Sequence, residues 1–248
     1  MSLPRALVVR SGANPFLTLT GTPRIEIVEK VSHSIEPVEP DAGELKAPAG
    51  LAIFTSQVAV ERLLRDPRLA LLFQKAIAGG RIVAVGAATR EALDAKGVKT
   101  DVVAGGSAES VLECLPHDLA GWRVLLPCGE DASPELPEGL RSRGAHAVRL
   151  VLYRKIPRPR DPGLEHEIVE RPFAAFCTTS PSAARWLFAG LIEGAAQRLR
   201  ATPAVVLGRF TRRFLETHGV ARIEVTEEAR FAEAVALLET LAGAPAGT

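Results

Sequence analysis

The sequence predicts an α/β protein made of two parallel-sheet domains with a cleft between them, and three observations lead there. One is an internal repeat. "LAIFTSQVAVERLL" (51–64) is echoed by "FCTTSPSAARWLF" (176–188), "IVAVGAATREALDAKGV" (82–98) by "AVVLGRFTRRFLETHGV" (204–220), and "SAESVLECL" (107–115) by "FAEAVALLETL" (231–241). The three pairs keep their order at a spacing of about 120 residues, which chance does not produce. The second observation is the form of each block. A short apolar strand, a turn with Thr or Ser and a helix follow one another, so each half is a βαβα series and implies a parallel sheet with helices on both faces. The third is punctuation: "EPVEPDAGELKAPAG" (36–50) and "RKIPRPRDPG" (154–163) are rich in Pro and charge and read as linkers.

Taken in order, "PRALVVRSG" through "RIEIVEKVSHSIEP" (4–37) predicts two strands joined by an unusually short middle. Residues 51–64 predict a strand that stops at Thr55-Ser56 and a helix with apolar residues at Val58, Val60, Leu63 and Leu64. The later partners repeat that plan: Ala59 falls on Ala183, Leu63 on Leu187, Gly86 on Gly208, Thr89 on Thr211 and Leu93 on Leu215. "WRVLLPCGEDASPELPEGLRSRGAHAVRLVLYRKIP" (122–157) predicts a strand, a loop, a helix ending on Gly144 and a last strand. Two linkers mean that the chain crosses between domains twice. Residues 1–36 plus 162–248 are expected to form one discontinuous domain, 40–152 an inserted one, and 37–39 and 153–161 the linkers.

Composition narrows the function. With 248 residues, 47% of them hydrophobic, the chain can bury one large core or two ordinary ones. Thirty basic residues against twenty-nine acidic ones give a net charge of +1, so no global field draws the protein to nucleic acid or to an anionic membrane. The start "MSLPRALVVRSG" is too short in apolar residues for a signal peptide, and the greasiest window (68–88) is broken by Arg68, Gln74, Lys75 and Arg81. A cytoplasmic location follows as the default. Cys114, Cys128 and Cys177 form no CxxC pair and read as reduced thiols, Cys128 and Cys177 as small core or turn residues. The sequence contains no G-x-G, no P-loop, no GxSxG and no HExxH, so no cofactor and no metal are expected.

The recurring turns are the candidate site. A Thr or Ser that leaves a parallel strand and enters a helix can cap it, which contributes about 1 kcal/mol relative to Ala. Turns at Thr55-Ser56, Thr89, Thr179-Ser180 and Thr211 would all lie at the carboxyl ends of strands, where open α/β sheets bind ligands. Free amides and positive helix ends there can hold anions. Arg10, closing the first strand, and Arg212, just inside a helix, are further carboxylate candidates; both can equally be solvated or structural arginines.

The order and spacing of "IFTSQVAVERLL", "VAVGAATREALDAKGV", the 122–157 stretch, "FCTTSPSAARWLF" and "VVLGRFTRRFLETHGV" resemble the uroporphyrinogen-III synthase family. That resemblance implies two flavodoxin-like domains joined by a two-stranded linker. It also implies a cofactor-independent enzyme that closes hydroxymethylbilane, a linear tetrapyrrole polycarboxylate, to uroporphyrinogen III with inversion of ring D and loss of water. The family often has Arg where Cys128 stands and Thr where Lys155 stands. Under this reading the duplicated turns become a cradle for a substrate crowded with carboxylates. Tyr153, the only tyrosine, becomes the candidate acid, because a neutral phenol can hydrogen-bond the departing hydroxyl; otherwise its ring packs at a hinge. The protein is expected to act as a monomer. A non-catalytic two-domain sensor of a small anion is the other reading, and the shortened first unit is the feature that favours it.

Overall fold

The computed structural model describes residues 3–12, 24–227 and 231–243. The chain divides into two compact units, Met1–Ile35 with Ile156–Thr248, and Glu36–Lys155. Strands β1 (Arg5–Ser11) and β2 (Glu26–Pro37) open the first unit. The short middle expected between them falls largely on 13–23, outside the described residues.

The second unit holds β3 (Leu51–Phe54), α1 (Gln57–Arg65), α2 (Pro67–Ala76), β4 (Arg81–Val85), α3 (Ala87–Asp94), β5 (Val102–Ala104), α4 (Ala108–Glu113), β6 (Arg123–Gly129), α5 (Glu135–Ser142) and β7 (His146–Pro157). The chain then returns through α6 (Gly163–Glu170), β8 (Ala175–Thr178), α7 (Pro181–Phe188), α8 (Glu193–Ala201), β9 (Ala204–Val206), α9 (Arg209–Thr217), β10 (Ile223–Val225) and α10 (Phe231–Gly243). Every strand pair within a unit is parallel. The first unit runs β2-β1-β8-β9-β10 and the second β7-β6-β3-β4-β5. These are one spatial pattern entered by the chain at different points.

Residues read as linkers are in large part strand. Pro37 ends β2, and 153–157 belong to β7. Within the second unit Val38 N donates to Leu152 O at 3.0 Å, and within the first Arg158 N donates to Ser32 O at 2.9 Å. The prolines and charges that suggest loops sit at the ends of long strands, where missing ladder donors are tolerated.

Both faces of the first unit's sheet are covered, as a parallel sheet requires. Leu7, Val9, Phe176 and Val206 point into one core with α7 and α8, while Ala6, Val8, Cys177 and Val205 point into another with α10. In the second unit Leu51, Ile53, Val83, Val124 and Leu126 pack with Val111 and Leu140, and Phe54 meets Phe73 edge-on at 5.5 Å. The break between α1 and α2 is dictated locally. Asp66 precedes Pro67, which disfavours helical backbone there. Asp66 is extended and caps α2 through Arg68 N at 2.8 Å.

Candidate active site

In the second unit the turn after β3 is built around Ser56. Its backbone is extended, and its Oγ accepts from Ala59 N at 3.1 Å, an ordinary N-cap of α1. The same Oγ lies 3.1 Å from the phenol oxygen of Tyr153. Thr55 beside it is exposed.

Tyr153 sits on β7 where its register with β6 shifts between Cys128 and Gly129. Such an irregularity re-aims a side chain. A Cβ on Gly129 would stand 2.8 Å from both Cε2 and Cζ of the ring, so only glycine leaves the phenol in its place. Tyr153 O accepts from Glu130 N at 2.9 Å, and the residue is only 5% exposed. Burial raises its pKa above the ordinary tyrosine value; the Ser56 bond opposes that rise, and Asp131 and Cys128 add to it. The phenol therefore keeps its proton at neutral pH. Asp131 is paired with Lys155 Nζ at 3.1 Å. Burial pushes the Cys128 thiol up despite the nearby Arg149, and Cys177 is pushed up to about 12 by burial alone, so neither is primed as a nucleophile.

In the first unit the matching turn is built around Ser180, which caps α7 by accepting from Ala183 N at 3.2 Å. Its Oγ lies 3.2 Å from Ser11 Oγ and 3.1 Å from Ser182 Oγ, and Ser11 and Ser182 are 3.2 Å apart. Three hydroxyls thus meet at the carboxyl ends of β1 and β8. Thr179, half-buried, donates its N–H to Val9 O at 3.1 Å.

Thr89 and Thr211 do not cap anything, contrary to expectation. Each is the third residue of its helix and buried, and the N-caps are Gly86 and Gly208. No side chain caps either helix; first-turn N–H groups of α3 can serve an external acceptor, whereas at α9 Thr211 N already donates to Gly208 O at 3.1 Å. The two serine-capped helices, by contrast, already spend one amide on their own cap.

The two arginines are engaged locally. Arg10 ion-pairs with Glu29 and donates to Gly12 O at 2.6 Å, and burial lowers its pKa. Arg212 donates to Glu216 at 2.8 Å one turn along α9. Each already holds a carboxylate of the protein.

Sequence reasoning missed Ser11, Ser182, Gly129 and Asp131. Ser11 follows Arg10 directly and Ser182 lies inside "TTSPSAA", so both are within its reach as polar residues at strand ends. Gly129 and Asp131 give no signal, because their roles depend on a register shift between strands.

Among the described residues no group of His, Cys, Asp and Glu could hold a metal ion, and no helix is long and apolar enough to cross a membrane. Residues 7–236 match the family model described as Uroporphyrinogen-III synthase HemD. The fold is similar to a mutant uroporphyrinogen III synthase from the extremely thermophilic bacterium Thermus thermophilus, at 21% identity and a TM-score of 0.65 over 96% of this chain and 98% of that one. It is also similar to uroporphyrinogen-III synthetase from Helicobacter pylori, at 16% identity and a TM-score of 0.59 over 97% and 100% of the two chains. No curated protein matches the chain.

Proposed function

The chain belongs to the uroporphyrinogen-III synthase family, and from that premise we propose how its residues carry out the ring closure. It is a cofactor-independent enzyme of tetrapyrrole biosynthesis that closes hydroxymethylbilane to uroporphyrinogen III with loss of water. The observation that carries the residue-level reading is the buried Tyr153 phenol held 3.1 Å from Ser56, where burial favours its neutral form. Tyr153 hydrogen-bonds the departing hydroxyl and gives it a proton, so that the group leaves as water. Ring D then attacks through its substituted carbon; the bond from that carbon to the ring C methylene breaks and re-forms at the free α-carbon of ring D, which inverts the ring. The proton this carbon loses as the pyrrole regains aromaticity restores the phenol. Leaving-group loss from an electron-rich pyrrole is intrinsically easy, so most of the catalysis comes from holding the chain folded.

Thr55, the backbone N–H of Ser56, Thr179, Ser180 and the glycine-started helices that carry Thr89 and Thr211 supply donors for substrate carboxylates. Arg10 and Arg212 join them through guanidinium donors not used on Glu29 and Glu216. Each unit serves as a flavodoxin-like domain. In support, the first unit's strand order, counted along the chain within the unit, is 2-1-3-4-5, and the second's is the permutation 5-4-1-2-3. The enzyme works as a cytoplasmic monomer. Incubation with freshly made hydroxymethylbilane tests the reading: spontaneous closure gives only the type I isomer, and the enzyme should give type III. Type I alone would leave the protein a binder of the anion.

A further inference from the structure

The Ser56 hydroxyl touches two groups, and its hydrogen-bonding capacity limits how they can be connected. A hydroxyl has one hydrogen to donate and two lone pairs. One lone pair is occupied by Ala59 N at the start of α1, a nine-residue helix. An oxygen that accepts a bond is polarised into a better donor, and the positive helix end reinforces this. The acceptor within reach of its hydrogen is the Tyr153 oxygen, 3.1 Å away. If the bond runs in that sense, the phenol's own hydrogen is not spent on Ser56.

We propose that Ser56 is a positioning residue that donates to Tyr153, relaying the positive end of α1 to the phenol oxygen and leaving the phenol hydrogen for the departing hydroxyl. This rests on the reading of Tyr153 as the acid. As the proton leaves, negative charge develops on the phenol oxygen, and the Ser56 hydrogen is already directed at it. Other charged and titratable groups around the ring work against that charge or are neutralised. Asp131 and Cys128 both disfavour tyrosinate, Lys155 is paired with Asp131, and Arg149 acts on Cys128. Ser56 is the one neighbour among them that favours release of the proton. Gly129, by leaving room for the ring, keeps the two oxygens within bonding distance.

The protein's single tyrosine makes the sense of the bond measurable. Biosynthetic 3-fluorotyrosine enters only at position 153 and titrates at lower pH than tyrosine, so its fluorine resonance can be followed while circular dichroism confirms the fold. If the Ser56 hydrogen is available to the ionised phenol, Ser56→Ala removes a bond to the charged form and the phenol pKa rises; if Ser56 can only accept, the same change lowers it. The Raman doublet of the neutral tyrosine, which differs between a donating and an accepting phenol, reads the sense of the bond before ionisation. Ser56→Thr keeps a capping hydroxyl and should restore the wild-type value, and Ser56→Gly gives a second test should Ala disturb the helix start. In turnover, Ser56→Ala should cost about tenfold to a hundredfold in kcat with KM little changed, and adding Tyr153→Phe should cost no more than Tyr153→Phe alone. A lowered or unchanged pKa, or losses that multiply, overturns the proposal. The titration needs no substrate, so absence of type III product from the wild type would refute the assigned reaction while the direction of the bond is still decided.

Discussion

The two units place different chemistry at equivalent points of one sheet pattern. In the second unit the β6–β7 register shifts at Cys128/Gly129, opposite Tyr153. In the first, the β1–β2 register shifts at Arg10/Ser11, opposite His33. The backbone bonds match: Glu130 N donates to Tyr153 O at 2.9 Å and Gly12 N to His33 O at 2.8 Å. The side chains do not. Tyr153 turns its phenol to the Ser56 cap, whereas His33 Nδ1 lies 2.8 Å from Ser32 Oγ, which itself donates to Arg10 O. With its only hydrogen committed to Arg10, Ser32 must accept from His33, which fixes the Nδ1–H tautomer. The Ser180 cap meets Ser11 and Ser182 in place of an aromatic acid. A shared backbone device therefore delivers a proton donor in one unit and a cluster of neutral hydroxyls in the other. We assign proton transfer to the second unit alone, while carboxylate holding is shared and the hydroxyl cluster adds to it in the first.

The largest expected effect tests the holding half. Ser180→Asp keeps a residue that caps helices well but puts a negative charge among hydroxyls meant for carboxylates, so type III formation should fall below detection with the fold intact. Full activity in that variant would remove the start of α7 from the site. Next comes the acid. Tyr153→Phe keeps the ring and loses one donor, so turnover should drop about tenfold to a thousandfold and the type III to type I ratio with it. The equivalent change in the first unit, His33→Phe, should alter turnover by less than about threefold, since general acid catalysis of that size is assigned elsewhere. Equal losses in the two variants would erase the division of labour.

Glycine-started helices offer a smaller contrast, read in stability. Gly86 has φ +81 and Gly208 φ −178, with open space where a Cβ would go in both. Gly86→Ala should cost about 1–2 kcal/mol for the left-handed backbone and Gly208→Ala less than about 0.5 kcal/mol, measured by urea unfolding.

The smallest effect is acid sensitivity. Glu167 is pushed up by burial, but bonds from Arg5 and Lys30 outweigh this and leave its pKa lowered. Asp161 is also lowered, chiefly by Lys30. Both lie in the first unit. A carboxyl with a depressed folded pKa contributes stability above its unfolded value of about 4, and that stability is lost as pH falls through the folded value. Hydrogen exchange should show the first unit loosening before the second below about pH 4; the reverse order would refute this.

Much of this architecture is legible in the sequence because it rests on local chemistry. The strand-turn-helix blocks, the Ser56 and Ser180 caps and the paired Gly86 and Gly208 are all short-range patterns. Thr89 and Thr211 lie inside the first turn rather than at its cap, since a Thr near a helix start resembles a cap until the preceding glycine is recognised as the end of the strand. The Ser56–Tyr153 bond joins residues 97 apart in sequence and follows from strand order and a register shift. No local pattern encodes either.

Strand β1 also has a consequence for synthesis on the ribosome. Its Ala6, Leu7, Val8 and Val9 are fully buried, and its partner on one side is β8, which begins at Ala175. At about 5–20 residues per second, roughly 7–28 s separate the emergence of β2 from that of β8. By residue 157, late in that interval, the second unit has every strand it needs, while β1 still carries an apolar segment with an unfilled edge. Hold-type chaperones should engage the chain there, and their release should coincide with the appearance of β8.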